Sequence, residues 1–195
     1  MCHALLGDAS LPRRLLEIDE DLAAQARGRG CGECGGGLHR SDYPRKPRGG
    51  PEGLGADFER RLSFCCGQEG CRKRLTPPSV RFLDRRVWLS VVVTLLCVMV
   101  HGVSARRARK LREELGVDRR TLERWRRWWR EELRSTRAWR EVRGKLQGEI
   151  EIEELPHSLF ERFEGSAREK LLALLLLLSP LSHSEVMAGR CAMAR

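Results

Sequence analysis

Four cysteines in a glycine-rich, apolar-poor stretch constrain this chain more than any other feature. They stand as Cys31-Gly32-Glu33-Cys34 and, about thirty residues on, within Phe64-Cys65-Cys66-Gly67-Gln68-Glu69-Gly70-Cys71. Ten glycines between residues 28 and 55 leave little room for regular structure. A segment with so few apolar side chains needs a staple to fold. Five of the eight cysteines fall between residues 31 and 71, while Cys2, Cys97 and Cys191 are scattered. Residues 1–20 lack a basic start followed by an apolar run, so no secretory signal is read there and a reducing, cytoplasmic setting is expected. In that setting clustered cysteines point to metal rather than to disulfides.

Zinc suits such a cluster, because two close pairs on two turns can supply four tetrahedral thiolates at small loop-closure cost. Cys31 and Cys34 are spaced for one turn, and Cys71 with Cys66 or Cys65 forms the other. Cys66 is favoured: zinc ribbons often place an aromatic two residues before the third ligand, and Phe64 fills that place. The four-residue gap from Cys66 to Cys71 is longer than the usual two. His39 could replace one cysteine. Four thiolates would close the coordination sphere, so the expectation is one structural zinc with no open position for chemistry.

Charge locates the second constraint. The net charge is +10, and residues 104–145 hold sixteen Lys and Arg against seven Asp and Glu. A basic middle between neutral or acidic ends fits a polyanion partner, here double-stranded DNA. Ser104 can cap a helix over residues 105–115, Gly116 supplies the turn, and a second helix runs from about Arg119 to Arg137. Apolar positions 108, 111, 115, 117, 122, 125 and 129 make the inner face of a helix-turn-helix. The outer face shows Arg119, Arg120, Thr121, Arg124 and Arg127, the residue types and helix end that meet base edges and phosphates. Trp128 falls off the inner face, free to touch DNA or a partner. Further upstream Arg45, Lys46 and Arg48 stand among Pro44, Pro47 and Pro51, a stiffened arm that could follow a phosphate backbone.

The run Leu115-Gly116-Val117-Asp118-Arg119-Arg120-Thr121-Leu122-Glu123-Arg124-Trp125 resembles the Leu-Gly-Val-x-x-x-Thr-Leu-x-Arg-Trp core of helix-turn-helix segments in bacterial insertion-sequence transposases and related regulators. Cys66, Cys71, Arg72 and Thr76 are similar to the zinc ribbon that often precedes such a segment. The resemblance covers residues 31–130. It departs at Arg112, where that family usually has a small residue, and in length, since no catalytic domain fits. It therefore implies DNA binding rather than strand transfer, in an accessory or truncated relative of a transposase, with a nucleoid location in a bacterial cytoplasm.

The remaining segments support these two. Leu11, Leu15, Leu16, Ile18 and Leu22 give residues 1–27 one amphipathic helix, with Asp19, Glu20 and Asp21 on other faces. Arg60–Cys65 alternates like a strand, and Ser79 after Pro77-Pro78 reads as a helix cap. Residues 87–103 are apolar but short and basic on both flanks, so a buried helix is expected there and no membrane span. Residues 149–155 alternate acidic and apolar, suggesting an extended piece. Leu171–Leu178 forms a helix ended by Pro180, serving as core or as a contact for a homodimer or partner protein.

The chain thus divides into an N-terminal helix or tail (1–27), a zinc-ribbon-like knuckle with its basic loop (28–78), a helix-turn-helix domain (79–145), and a helical C-terminal segment with a loose tail (146–195). The expected fold class is mainly α with a small β ribbon. No phosphate-binding glycine loop, nucleophile elbow or zinc-histidine helix motif is present in the sequence, so an enzyme is not expected. A rival reading makes the knuckle and the leucine-rich helix a protein-interaction module, with the arginines serving solubility.

Overall fold

The computed structural model describes residues 10–45, 55–83, 86–87, 104–115, 117–144, 146 and 148–182. Within them the chain is mainly α-helical with short antiparallel β pieces. Helix α1 (Ser10–Gly28) buries Leu11, Leu15 and Ile18 along one face, the spacing that its apolar period requires. Strands β1 (Leu38–Arg40), β4 (Phe64–Cys66) and β5 (Arg74–Leu75) form a three-stranded antiparallel sheet in the order β1-β4-β5. Beside it β2 (Tyr43–Pro44) pairs with β3 (Arg60–Arg61), and β6 (Phe82–Leu83) pairs with β7 (Arg86–Val87).

The alternation over residues 60–65 therefore resolves into two short strands in different sheets, separated at Leu62 and Ser63. Ser79 does not start a helix. Its Oγ accepts hydrogen bonds from the N–H groups of Arg81 and Phe82 at 3.1 and 3.2 Å, as a cap would, but the chain turns into β6. A short hydroxyl side chain offers the same bonds to a turn as to a helix start, which is why the sequence signal is ambiguous. Most of the apolar run 87–103 lies outside the described residues, as do Lys46, Arg48, Cys2, Cys97 and Cys191. Among the described residues no helix is long and apolar enough to cross a membrane.

Helices α2 (Ala105–Leu115) and α3 (Arg119–Arg127) come next. α3 runs on through a π-helical turn (Trp128–Glu132) into a last helical turn (Leu133–Ser135). The helix stops two residues before the expected Arg137. Thr136 is extended, and its hydroxyl accepts from the Trp139 N–H at 3.0 Å, capping a new helix α4 (Arg137–Gly144). The π turn corrects the expectation for Trp128. Successive α-helical residues diverge by about 100°, so adjacent tryptophans should not share a face. The wider turn carries one extra residue, and both Trp128 and Trp129 are buried, edge to face at 5.3 Å.

Beyond α4, Ile150 and Leu155 are buried around a 3₁₀ turn (Ile152–Glu154), so the acidic alternating segment is only partly extended. A short α5 (His157–Phe160) leads to α6 (Ala167–Leu178). Ser166 and Glu169 close a capping box at its start, and a 3₁₀ turn (Ser179–Ser182) ends it. Leu171, Leu174, Leu175 and Leu178 enter one core with Leu11, Leu15 and Ile18 of α1, Trp128, Trp129, Trp139 and Leu159. A second, smaller core holds Ala23, Leu38, Leu62 and Phe64 with Cys31 and Cys66. α1 enters both.

Joining them is a buried ion pair that the sequence did not suggest. Asp19 lies on the inner side of α1, not among the exposed acids, and its Oδ2 accepts from Arg81 Nε at 2.8 Å with both side chains fully buried. Ser79 Oγ donates to the same oxygen at 2.6 Å, and the Val80 N–H donates to Oδ1 at 2.7 Å. With its lone pairs used in this way the carboxylate can be buried charged.

Candidate metal centre

Two short turns bring four sulfur atoms together. The first turn closes when the Gly35 N–H donates to the Cys31 carbonyl at 2.8 Å and the Cys31 N–H donates to the Gly36 carbonyl at 2.9 Å. Gly35 sits at φ +70°, a left-handed conformation that costs a residue with a Cβ. Gly36 passes so close to the cluster that a Cβ there would meet Gln68 Cγ at 2.5 Å and the sulfurs of Cys34 and Cys66 at 3.3 Å. The second turn folds back when the Cys71 and Arg72 N–H groups both donate to the Gln68 carbonyl at 3.1 Å, with Arg72 itself at φ 47°. A bond from the Gly67 N–H to the Gly37 carbonyl, 2.9 Å, ties one turn to the other.

The result is a group of Cys31, Cys34, Cys66 and Cys71 whose Sγ atoms all lie within 4.8 Å of one another. Cys31 and Cys71 approach to 3.7 Å, Cys34 and Cys66 to 3.4 Å. Four sulfurs at about 2.3 Å from one tetrahedral ion would stand about 3.8 Å apart. The cluster fits a single metal ion of that kind.

Strand parity explains why Cys66 joins the cluster and Cys65 does not. Consecutive residues of β4 face opposite sides, with Leu38 opposite Cys66 and His39 opposite Cys65. Cys66 is fully buried and lies on the side of the other three sulfurs, whereas Cys65 shares its face with His39 and Arg74. His39 is exposed and its ring lies over Gly67, so it does not enter the cluster.

The electrostatics favour a thiolate at Cys31 and oppose one at Cys34 and Cys71. The backbone N–H of Glu33, followed by that of Cys34, holds the Cys31 thiol down at about 7. Cys34 and Cys71 are each pulled down by a backbone N–H, from Gly36 and Lys73, yet both end above the ordinary thiol range. For Cys34 the opposing cause is chiefly its sulfur contact with Cys66, and for Cys71 it is burial. Four thiols this close cannot all ionise without a cation among them. Lys73 Nζ, 3.7 Å from Glu33, stands at the rim.

The basic residues fall elsewhere. Asp118 caps α3, its Oδ1 accepting from the Thr121 N–H at 2.7 Å, and Leu122 is fully buried on the inner side. Ala108, Val117 and Trp129 are buried as the inner-face pattern expects, and Trp125 is half-buried. Arg119, Arg120, Arg124 and Arg127 are exposed, and Thr121 is half-buried. Arg119 pairs with Glu123 at 2.9 Å, while Arg120, Arg124 and Arg127 pair with no carboxylate among the described residues. Arg45, expected on a free arm, is half-buried with its guanidinium over the Phe82 ring at 5.8 Å.

No family model, no curated protein and no solved structure matches this chain.

Proposed function

We propose that this protein binds double-stranded DNA through α3 and that the cysteine cluster holds one structural zinc ion. Zinc fits the donor set, four thiols on two turns with no fifth ligand or open position among the described residues. Cys31, Cys34, Cys66 and Cys71 would hold it, and its role would be to fix the ribbon. The observation that carries the DNA reading is the stripe of Arg120, Arg124 and Arg127. These residues are spaced i, i+4 and i+7 on a capped helix whose opposite side is buried. Among the described residues none of them makes an ion pair, the carboxylate of Asp118 being close enough to Arg120 only to feel its charge. Cations held on one rigid face without partners are suited to phosphates and to guanine edges. The resemblance of residues 115–125 to transposase helix-turn-helix segments points the same way and suggests a mobile-element context.

The rival interaction-module reading has less to draw on. α6 buries Leu171, Leu174, Leu175 and Leu178 in the chain's own core, and Leu176 is the one large apolar side chain exposed among the described residues.

The test is a salt titration of binding to duplex DNA. The logarithm of affinity should fall linearly with that of salt, with a slope of about −0.9 per neutralised phosphate. Arg124→Ala or Arg127→Ala should lower the slope by about 1 where the arginine meets a phosphate, or relax base preference where it meets guanine. A shallow slope that neither variant changes would sink the reading.

A further inference from the structure

Three guanidinium groups surround one aromatic ring in this protein, and among the described residues only one of them hydrogen-bonds a carboxylate. The Cζ atoms of Arg81, Arg61 and Arg45 lie 5.0, 5.6 and 5.8 Å from the centroid of Phe82. Arg81 is fully engaged. Its Nε donates to Asp19, its Nη1 to the Phe58 carbonyl at 2.7 Å and its Nη2 to the Arg60 carbonyl at 3.1 Å. Asp19 is equally engaged, by Arg81, Ser79 and the Val80 N–H.

Arg61 and Arg45 are different. Arg61 is 2 % exposed, and its Nη2 donates to the Pro77 carbonyl at 2.5 Å. Its Nη1 is buried and has no partner among the described residues. Arg45 holds its place through a backbone bond to the Glu59 carbonyl at 2.7 Å and through the ring face, and it makes no ion pair among the described residues. A buried guanidinium with a donor left over is costly, because its desolvation is met by no directly paired charge and no full set of acceptors. Burial correspondingly pushes Arg61 down to about 10, against the pull of Asp19.

We propose that Arg61 Nη1 and the guanidinium of Arg45, beside Phe82, bind one small oxyanion of the phosphate or sulfate class. Three cations share the one carboxylate of Asp19, which leaves an excess charge of two that calls for a dianion, and guanidinium donors suit the oxygens of a tetrahedral anion. The ion is a free one: Arg61 is too deeply buried to be reached by the backbone of a duplex, whereas Arg45 is only half-buried. The site is separate from the sulfur cluster and from the α3 stripe, so it stands or falls independently of the DNA reading.

The test uses the full-length, metal-loaded protein in chloride buffer at constant ionic strength. Inorganic phosphate is titrated by calorimetry, and the thermal midpoint is followed in parallel. The expected result is saturable binding of one ion per chain, with a midpoint that keeps rising with the logarithm of phosphate above saturation. Arg45→Gln leaves the Asp19–Arg81 network untouched and should weaken phosphate about tenfold, the loss expected for one charge-assisted hydrogen bond. Arg61→Gln should abolish binding, but a buried substitution can also unfold the ribbon, so Arg45→Gln carries the decision. A phosphate effect no larger than that of chloride, or one equal in Arg45→Gln, would mean that a carboxylate of the chain supplies the counter-charge, and would overturn the site. Protection by a short duplex but not by inorganic phosphate would overturn the assignment to a small free ion.

Discussion

Around the four cysteines the buried apolar side chains are few: Ala23, Leu38, Leu62 and Phe64. The helical body instead closes over eighteen buried residues among those described, most of them from α1, the tryptophan turn, α4, α5 and α6. One region is held where glycine replaces side chains, the other where leucine and tryptophan fill space. The first kind of region holds only if something other than apolar burial crosses the gap, and the sulfur cluster lies where its two turns meet. Stability in this chain is therefore local in kind as well as in amount.

The largest effect should come from taking that crosslink away. Structural zinc contributes an apparent 10–16 kcal/mol or so in small zinc modules, comparable with or above the whole stability of a domain. Chelation, or Cys66→Ser, should therefore strip amide-exchange protection from β1, β4 and β5. The far-UV helical signal of α1, α3 and α6 should largely survive. Metal content should fall from one ion per chain to none. If the ribbon keeps its protection without metal, the contrast between the regions is wrong.

A smaller effect tests the other side. Leu174 is fully buried in the helical core, and Leu174→Ala should cost about 2–5 kcal/mol through lost transfer and the cavity left behind. Metal stoichiometry should stay at one. A variant that lost both helical stability and metal would show that the regions unfold as one unit, with the buried Asp19–Arg81 pair as the physical reason.

That pair also marks where sequence reading fails. Asp19 and Arg81 are 62 residues apart, and nothing local separates Asp19 from its neighbours Glu20 and Asp21. The cysteine cluster was legible because ligand chemistry imposes spacing, and the choice of Cys66 is explained by strand parity once β4 is paired with β1. The start of α3 at Arg119 and its buried Leu122 were legible because turn residues and helical periods are local rules. Trp128 was not, since a π turn breaks the period on which the rule rests. Ser79 shows the same limit. Its two hydrogen bonds are those of a cap, but the path of the chain beyond it is decided by Asp19 and Ser182, far away in sequence.

The smallest effect concerns how the helices begin. Glycines and sulfurs fix the ribbon's turns, whereas carboxylates fix helix starts. The Ser166 N–H, then its hydroxyl, holds Glu169 below the usual carboxylate range, and the Thr121 N–H does the same for Asp118. A carboxylate with a lowered folded-state pKa contributes stability that is complete above its unfolded value, near 4, and disappears as pH falls through the folded one. Glu169→Gln keeps an acceptor for the capping box but does not titrate. The wild type should therefore exceed Glu169→Gln in thermal midpoint by a constant margin from pH 7 to about 5. The margin should shrink as pH falls below about 4 and vanish only once pH has passed below the folded-state value. Thiolates also protonate in acid, but both proteins carry the same ribbon, so its response cancels in the difference. A margin that does not change with pH would mean that the charge of Glu169 adds nothing to the cap. The helical body would then be stabilised by packing alone.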